Sequence, residues 1–197
     1  MGVNLAVFAS GGGSDLQAII DACESGRLDA TVRVVISNNS GAKALERARR
    51  HGIAAFHLSG KVLPGEGELD KAILDTLLAH DVDIVFLAGY LKKLGPGILR
   101  TFEGRIFNIH PSLLPKYGGK GMFGINVHAA VIAAGETETG ITVHRVIEEY
   151  DKGEIIAQRK VPVFEGDTAE TLAARVLTEE HLFIVEVLGR IIERGKK

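Results

Sequence analysis

Residues 84–88 read Ile-Val-Phe-Leu-Ala, five apolar positions in succession. A strand with one face in water alternates apolar and polar side chains, whereas a parallel strand covered on both faces reads as a continuous apolar run. This short stretch therefore calls for a sheet with helices on both sides. The chain around it supplies them. Residues 3–10 (VNLAVFAS), 31–37 (TVRVVIS) and 54–58 read as further strands. Between them Leu16, Ile19, Ile20 and Cys23 recur at helical spacing, with Ser14 and Gln17 set as a capping box and Gly26 as the stop. Residues 42–50 form a second helix ended by Gly52. Leu69, Ala72, Ile73, Leu77 and Leu78 mark a third, to about His80, after a glycine-rich loop at 60–67. Strand and helix in alternation give a doubly wound sheet with right-handed crossovers.

The second half departs from strict alternation. Pro96 suits the first turn of a short helix reaching about Phe102. Residues 105–116 (RIFNIHPSLLPK) hold a strand that Pro111 ends. Residues 116–126 (KYGGKGMFGIN) lack periodicity and read as a mobile loop, followed by a helix over 127–134. Residues 141–147 alternate as a strand, in which His144 reads as structural. A turn at 148–153 leads to a last strand at 155–163. Asp167 and Glu170 are set as a capping box for a long helix from Thr168, with Leu172, Val176, Leu188, Ile191 and Ile192 on its apolar side. The expected fold is α/β: a Rossmann-like doubly wound sheet, mostly parallel with antiparallel C-terminal strands. No repeat, low-complexity tract or linker divides the 197 residues, so a single domain over 1–197 is expected.

Composition removes several classes of function. A net charge of −2 offers no basic field for nucleic acid. The single cysteine, Cys23, allows neither an internal disulfide nor a cysteine-built metal site. No apolar run approaches the ~20 residues of a membrane span, and no apolar signal segment opens the sequence. A cytoplasmic protein is expected.

Two places carry chemistry. After the first strand come Gly11, Gly12, Gly13 and Ser14 at the start of a helix, where free backbone N–H groups favour a phosphate. Two readings are open for these glycines: a phosphate seat or a tight corner. A dinucleotide fingerprint is absent, because Leu16 stands where its third glycine belongs and Asn38 and Asn39, not an acid, follow the second strand. No nucleotide-triphosphate loop of the Gly-Lys-Ser/Thr type occurs either. The second place is Asn108 and His110. Two apart on a strand, they point to one face at its C-terminal end. An amide donor beside an imidazole can hold a developing oxyanion while a proton moves.

The string N-I-H-P-S-L-L-P at 108–115 resembles the signature of the folate-dependent formyltransferases, and the resemblance runs nearly end to end. It implies roles for particular residues. Asn108, His110 and Asp151 match the family's catalytic trio, Asp151 lying in a D-x-G turn before an I-I-A-Q strand. Asn108 and a protonated His110 would hold the oxyanion, with Asp151 favouring the charged imidazole. Leu91, Lys92, Lys93 and Leu94, with Asn108, Ile147, Glu148, Glu149, Tyr150 and Asp151, match the folate site. For Lys92 and Lys93 the plain alternative is a solvated charge pair. Gly13, Ser14 and Asp15, in G-G-G-S-D-L-Q, match the loop that holds a ribonucleotide phosphate, and Leu177, Thr178, Glu179 and Glu180 match the segment that reaches the ribonucleotide. Two positions depart from the family. Asp15 replaces its Asn, so the carboxylate must turn away, be compensated by a cation such as Arg47 or Lys43, or weaken the phosphate. A folate-site arginine falls at about Glu66.

The implied reaction moves a formyl group from 10-formyltetrahydrofolate, as co-substrate, to the amine of glycinamide ribonucleotide. No metal is called for. The expected partners are these two small molecules, with no nucleic acid and no membrane, in a monomer or a homodimer. Methionyl-tRNA formyltransferases share the trio but join it to a basic tRNA-binding domain, which this acidic chain does not offer. Formyltetrahydrofolate hydrolases share it with an added regulatory domain. The reading from another class is a nucleotide-binding module that has lost turnover.

Overall fold

The computed structural model describes residues 2–65 and 67–195. Seven strands form one sheet in the order β3-β2-β1-β4-β5-β6-β7. They are β1 (Val3–Phe8), β2 (Ala30–Ser37), β3 (Ala54–His57), β4 (Ile84–Leu87), β5 (Ile106–His110), β6 (Glu138–Arg145) and β7 (Ile155–Pro162). The pairs among β1–β5 are parallel, and β6 and β7 run antiparallel. This is the expected architecture. The helices are α1 (Ser14–Glu24), α2 (Lys43–Arg50), α3 (Glu68–Ala79), α4 (Pro96–Thr101), α5 (Ile125–Ala133) and α6 (Ala169–Gly195). None of the described helices is long and apolar enough to cross a membrane.

The sheet has an apolar core on each face. Leu5, Val7, Phe86, Phe107 and Ile109 pack with residues of α1, α2, α5 and α6. Ala6, Phe8, Val85, Leu87 and Ile106 pack with α3 and α4. Alternate residues of one strand thus enter opposite cores, which is why β4 has no room for a polar side chain. The chain runs outward from β1 through β2 to β3, then returns to β4 on the other side of β1. This reversal opens a crevice beyond the C-terminal ends of β1 and β4, the usual ligand position in such sheets. The two loops there are tied together: Ser10 N–H donates to Gly89 O at 3.0 Å, and Leu91 N–H to Ser10 Oγ at 2.8 Å.

Both expected capping boxes are replaced. The cap of α1 is Gly13, at φ 70°, and no side chain caps it. A Cβ on Gly13 would lie 2.8 Å from Ala44 Cα, so both the left-handed backbone and the contact with α2 require glycine. Gln17 is drawn aside, accepting from Arg47 Nη1 and donating to Asp21 Oδ1. At α6 the reciprocal pair is Thr168 and Thr171, one residue beyond the expected one. Asp167 instead takes both ends of the Arg175 guanidinium at 2.7 Å each. Helix α5 begins at Ile125, two residues before its expected start, and β6 begins three residues early.

Candidate active site

The crevice holds a cavity of about 630 Å³. Asn108 and His110 line it together from the end of β5, as their spacing requires. The antiparallel register sets His144 opposite Asn108 and Thr142 opposite His110. Directly opposed residues share a face, so His144 is brought into the cavity wall. It is buried, with its ring beside both Asn108 and Asp151. Its Nδ1 donates to Arg145 O at 2.8 Å, which turns Nε2 towards Asn108 Nδ2 at 3.0 Å and Asp151 Oδ1 at 3.4 Å. The signal for His144 lay in strand pairing, which no local pattern reveals.

Asp151 arrives on the turn between β6 and β7, at φ 54°. The loop before α5 fixes both it and His110. Gly119 N–H donates to Asp151 Oδ2 at 2.8 Å, and His110 Nε2 donates to Tyr117 O at 2.8 Å. A carbonyl can only accept, so the hydrogen of neutral His110 sits on Nε2. Its Nδ1 faces Asp151 Oδ2 at 3.7 Å, too far for a hydrogen bond.

The electrostatics correct one expectation. Burial pushes His110 below the ordinary histidine value, and the neighbouring Asp151 and the Tyr117 carbonyl pull it up without prevailing. The resting imidazole therefore favours its neutral form, not the imidazolium. For Asp151 burial acts upward, but the His144 contact, the Gly119 N–H and the nearness of His110 together hold it below the usual carboxylate value. His128 of α5 was not anticipated either. It is buried in the cavity wall, its Nδ1 has no hydrogen-bond partner among the described residues, and burial followed by His110 pushes it down. A polar residue three before Val131, on the buried face of a mostly apolar helix, was its trace in the sequence.

One wall of the cavity is made by Leu91, Lys92, Lys93 and Leu94 beyond β4 and by Ile147, Glu148, Glu149 and Tyr150 before Asp151. The two segments meet where Lys93 Nζ lies 5.2 Å from the centre of the Tyr150 ring. Leu91, Ile147, Tyr150, Phe123 and Ile125 leave large apolar side chains exposed around it. Asp15, Leu177 and Glu180 also line the cavity. Thr178 and Glu179 are not brought to it: Thr178 donates to Ala174 O on its own helix, and Glu179 pairs with Arg159. On a helix, 177 and 180 share a face, whereas 178 and 179 turn away from it. Gly13 and Ser14 are likewise outside the lining, and Gly13 has its packing reason in Ala44. Arg47 is not the cation for Asp15, since it donates to Gly12 O and Gln17 Oε1. Asp15 turns to His181 of α6, with Oδ1 3.6 Å from Nε2. Glu66 lies outside the described residues. Among those described, no cluster of three or more His, Cys, Asp or Glu is arranged to hold a metal ion.

The profile of the family described as "Formyl transferase" matches residues 3–188. The chain is similar to the chloroplastic phosphoribosylglycinamide formyltransferase of Vigna unguiculata, 48% identical over 189 residues, covering 96% of this chain and 61% of that protein. It is 42% identical to the phosphoribosylglycinamide formyltransferase of Escherichia coli, over 91% of this chain and 82% of that one. Among solved structures, glycinamide ribonucleotide transformylase 1 of Symbiobacterium toebii superposes with a TM-score of 0.91 at 41% identity, covering 98% of this chain and 88% of that one.

Proposed function

This chain belongs to the formyl transferase family, and from that premise we propose that it transfers a formyl group from 10-formyltetrahydrofolate to the amine of phosphoribosylglycinamide, the glycinamide ribonucleotide of purine synthesis. The observation that carries the reading is the convergence of Asn108, His110, His144 and Asp151 on one cavity. The exposed apolar side chains suit the flat ring of a folate, and Lys92 and Lys93 suit its carboxylate tail. The wall of Asp15, Leu177 and Glu180 is left for the ribonucleotide.

In this mechanism the amine lone pair attacks the formyl carbon and the carbonyl electrons move onto oxygen. An amide nitrogen carries two hydrogens. One on Asn108 Nδ2 is directed at His144, which leaves the other for the oxyanion. His110 starts neutral, with Nδ1 facing Asp151 Oδ2 at 3.7 Å and free to accept a proton. It takes up the proton that the amine loses, and Asp151 balances the imidazolium as it forms. Collapse of the intermediate breaks the bond to the folate nitrogen, which receives the proton, and tetrahydrofolate leaves. An oxyanion donor of this kind contributes a factor of roughly 10²–10³ in rate.

The test is spectroscopic detection of tetrahydrofolate formation by the purified protein, with and without the ribonucleotide. Formation that requires the ribonucleotide and yields its formyl amide supports the proposal. Formyl release with water alone, or tight binding without turnover, overturns it.

A further inference from the structure

Asp15 and Glu180 line the cavity where α1 packs on α6, and Asp15 stands beside His181. Glu180 is nine-tenths buried, lines the cavity and makes no hydrogen bond or ion pair among the described residues. Asp15 Oδ1 and His181 Nε2 are both buried without a hydrogen-bond partner, and their 3.6 Å separation is an ion-pair distance only. The other charged and titratable groups of the surrounding elements are paired or line the same cavity. Glu179 is paired with Arg159 on β7, and Arg47 of α2 is held on the glycine loop. His128 of α5, His110 of β5, Asp151, Lys92 and Lys93 line other parts of the wall. Two carboxylates in one poorly hydrated corner, served by one imidazole, cannot both ionise without cost.

We propose that Asp15 and Glu180 share a single proton, so that the cavity meets an anionic ribonucleotide with one carboxylate charge in place of two. Asp15 is thereby a positioning residue that acts through Glu180, and it sets the pH range over which the ribonucleotide binds well. The identity of that ligand rests on the formyl-transfer reading. Two further observations agree. Burial pushes Glu180 well above the ordinary glutamate value and the Asp15 charge adds to it. Asp15 is also raised by burial, with His181 opposing. Both shifts run towards the protonated form, so the second carboxylate of this corner ionises at a higher pH than an exposed one.

The test compares the unaltered protein with Asp15→Asn, which keeps the shape and removes the second carboxylate. Calorimetric titration with glycinamide ribonucleotide, from about pH 6 to about pH 9, gives a dissociation constant for each. Ionisation of the ligand's own phosphate and amine is common to both proteins and cancels in their ratio. The unaltered protein is expected to lose affinity relative to the variant as pH rises, by up to about tenfold. A ratio independent of pH overturns the shared proton. A second measurement needs no ligand: the carboxyl-carbon NMR shift of Glu180 is expected to titrate at lower pH in Asp15→Asn, and an unmoved midpoint overturns the proposal. If the ribonucleotide binds neither protein, the formyl-transfer reading falls, and the carboxyl titration still decides whether Asp15 and Glu180 are linked.

Discussion

The two nitrogens of His110 have different neighbours, and this decides what the residue can do. Nε2 is committed to the Tyr117 carbonyl, so any proton taken during reaction must enter at Nδ1, beside Asp151. Replacing His110 or Asp151 by Ala is expected to lower turnover by about 10²–10⁴-fold with an unchanged circular dichroism spectrum. Near-normal turnover by either variant would remove that residue from the proton path. The titration of His110 gives an independent check. Burial lowers it and Asp151 raises it, so the ring should titrate below about 6.5 in the unaltered protein and lower still in Asp151→Asn. NMR of the ring carbons reads both midpoints, and an upward move in Asp151→Asn would contradict the pairing. The linkage has a definite sign. An unfolded chain takes this proton at about pH 6.5 and the folded one resists it, so the contribution to stability is full above that pH and declines as pH falls through it towards the folded value. At this scale the sequence was partly legible. Asn108, His110 and Asp151 stand in strings long enough to be recognised. His144 and His128 do not, because one is placed by strand register and the other by the packing of a helix whose neighbours are far away in the chain.

Among the elements, the turn between β6 and β7 has the narrowest tolerance. Asp151 sits at φ 54°, an uncommon backbone for a residue with a side chain, and Gly153 follows two positions later. A Cβ on Gly153 would collide with the carbonyl oxygen of Arg145, a residue whose N–H donates to Glu154 O at 2.9 Å across the same turn. Gly153→Ala must therefore open the first pair of the hairpin and shift Asp151. The expected outcome is a loss of turnover approaching that of Asp151→Ala, with stability lowered by about 0.5–3 kcal/mol, the ordinary range for one substitution. Turnover at the unaltered level would show the turn to be adaptable. Strands and helices were legible throughout, since alternation and helical spacing are local. Their caps were less so. The boxes expected at Ser14 and Asp167 were sound as patterns, but α2 packs on Gly13 and Arg175 captures Asp167, and both are tertiary events. Likewise Thr178 and Glu179 belong to the matching string, yet helical geometry turns them from the cavity.

At the scale of the molecule, the two cores lie on opposite faces of one sheet, and every strand but the outermost is shared between its neighbours. Residues 5 and 7 of β1 enter one core and residues 6 and 8 the other. Loss of either core therefore exposes the other, and the chain is expected to unfold in one cooperative transition. Tyrosine near-ultraviolet and backbone far-ultraviolet circular dichroism should give coincident melting curves, and two separated transitions would divide the chain into independent units. The crossing of α1 over α6 has a mechanical meaning as well. It joins the helix after the first strand to the last helix, so the cavity lining that Asp15 gives from α1 and that Leu177 and Glu180 give from α6 keeps its spacing only while those two helices stay packed.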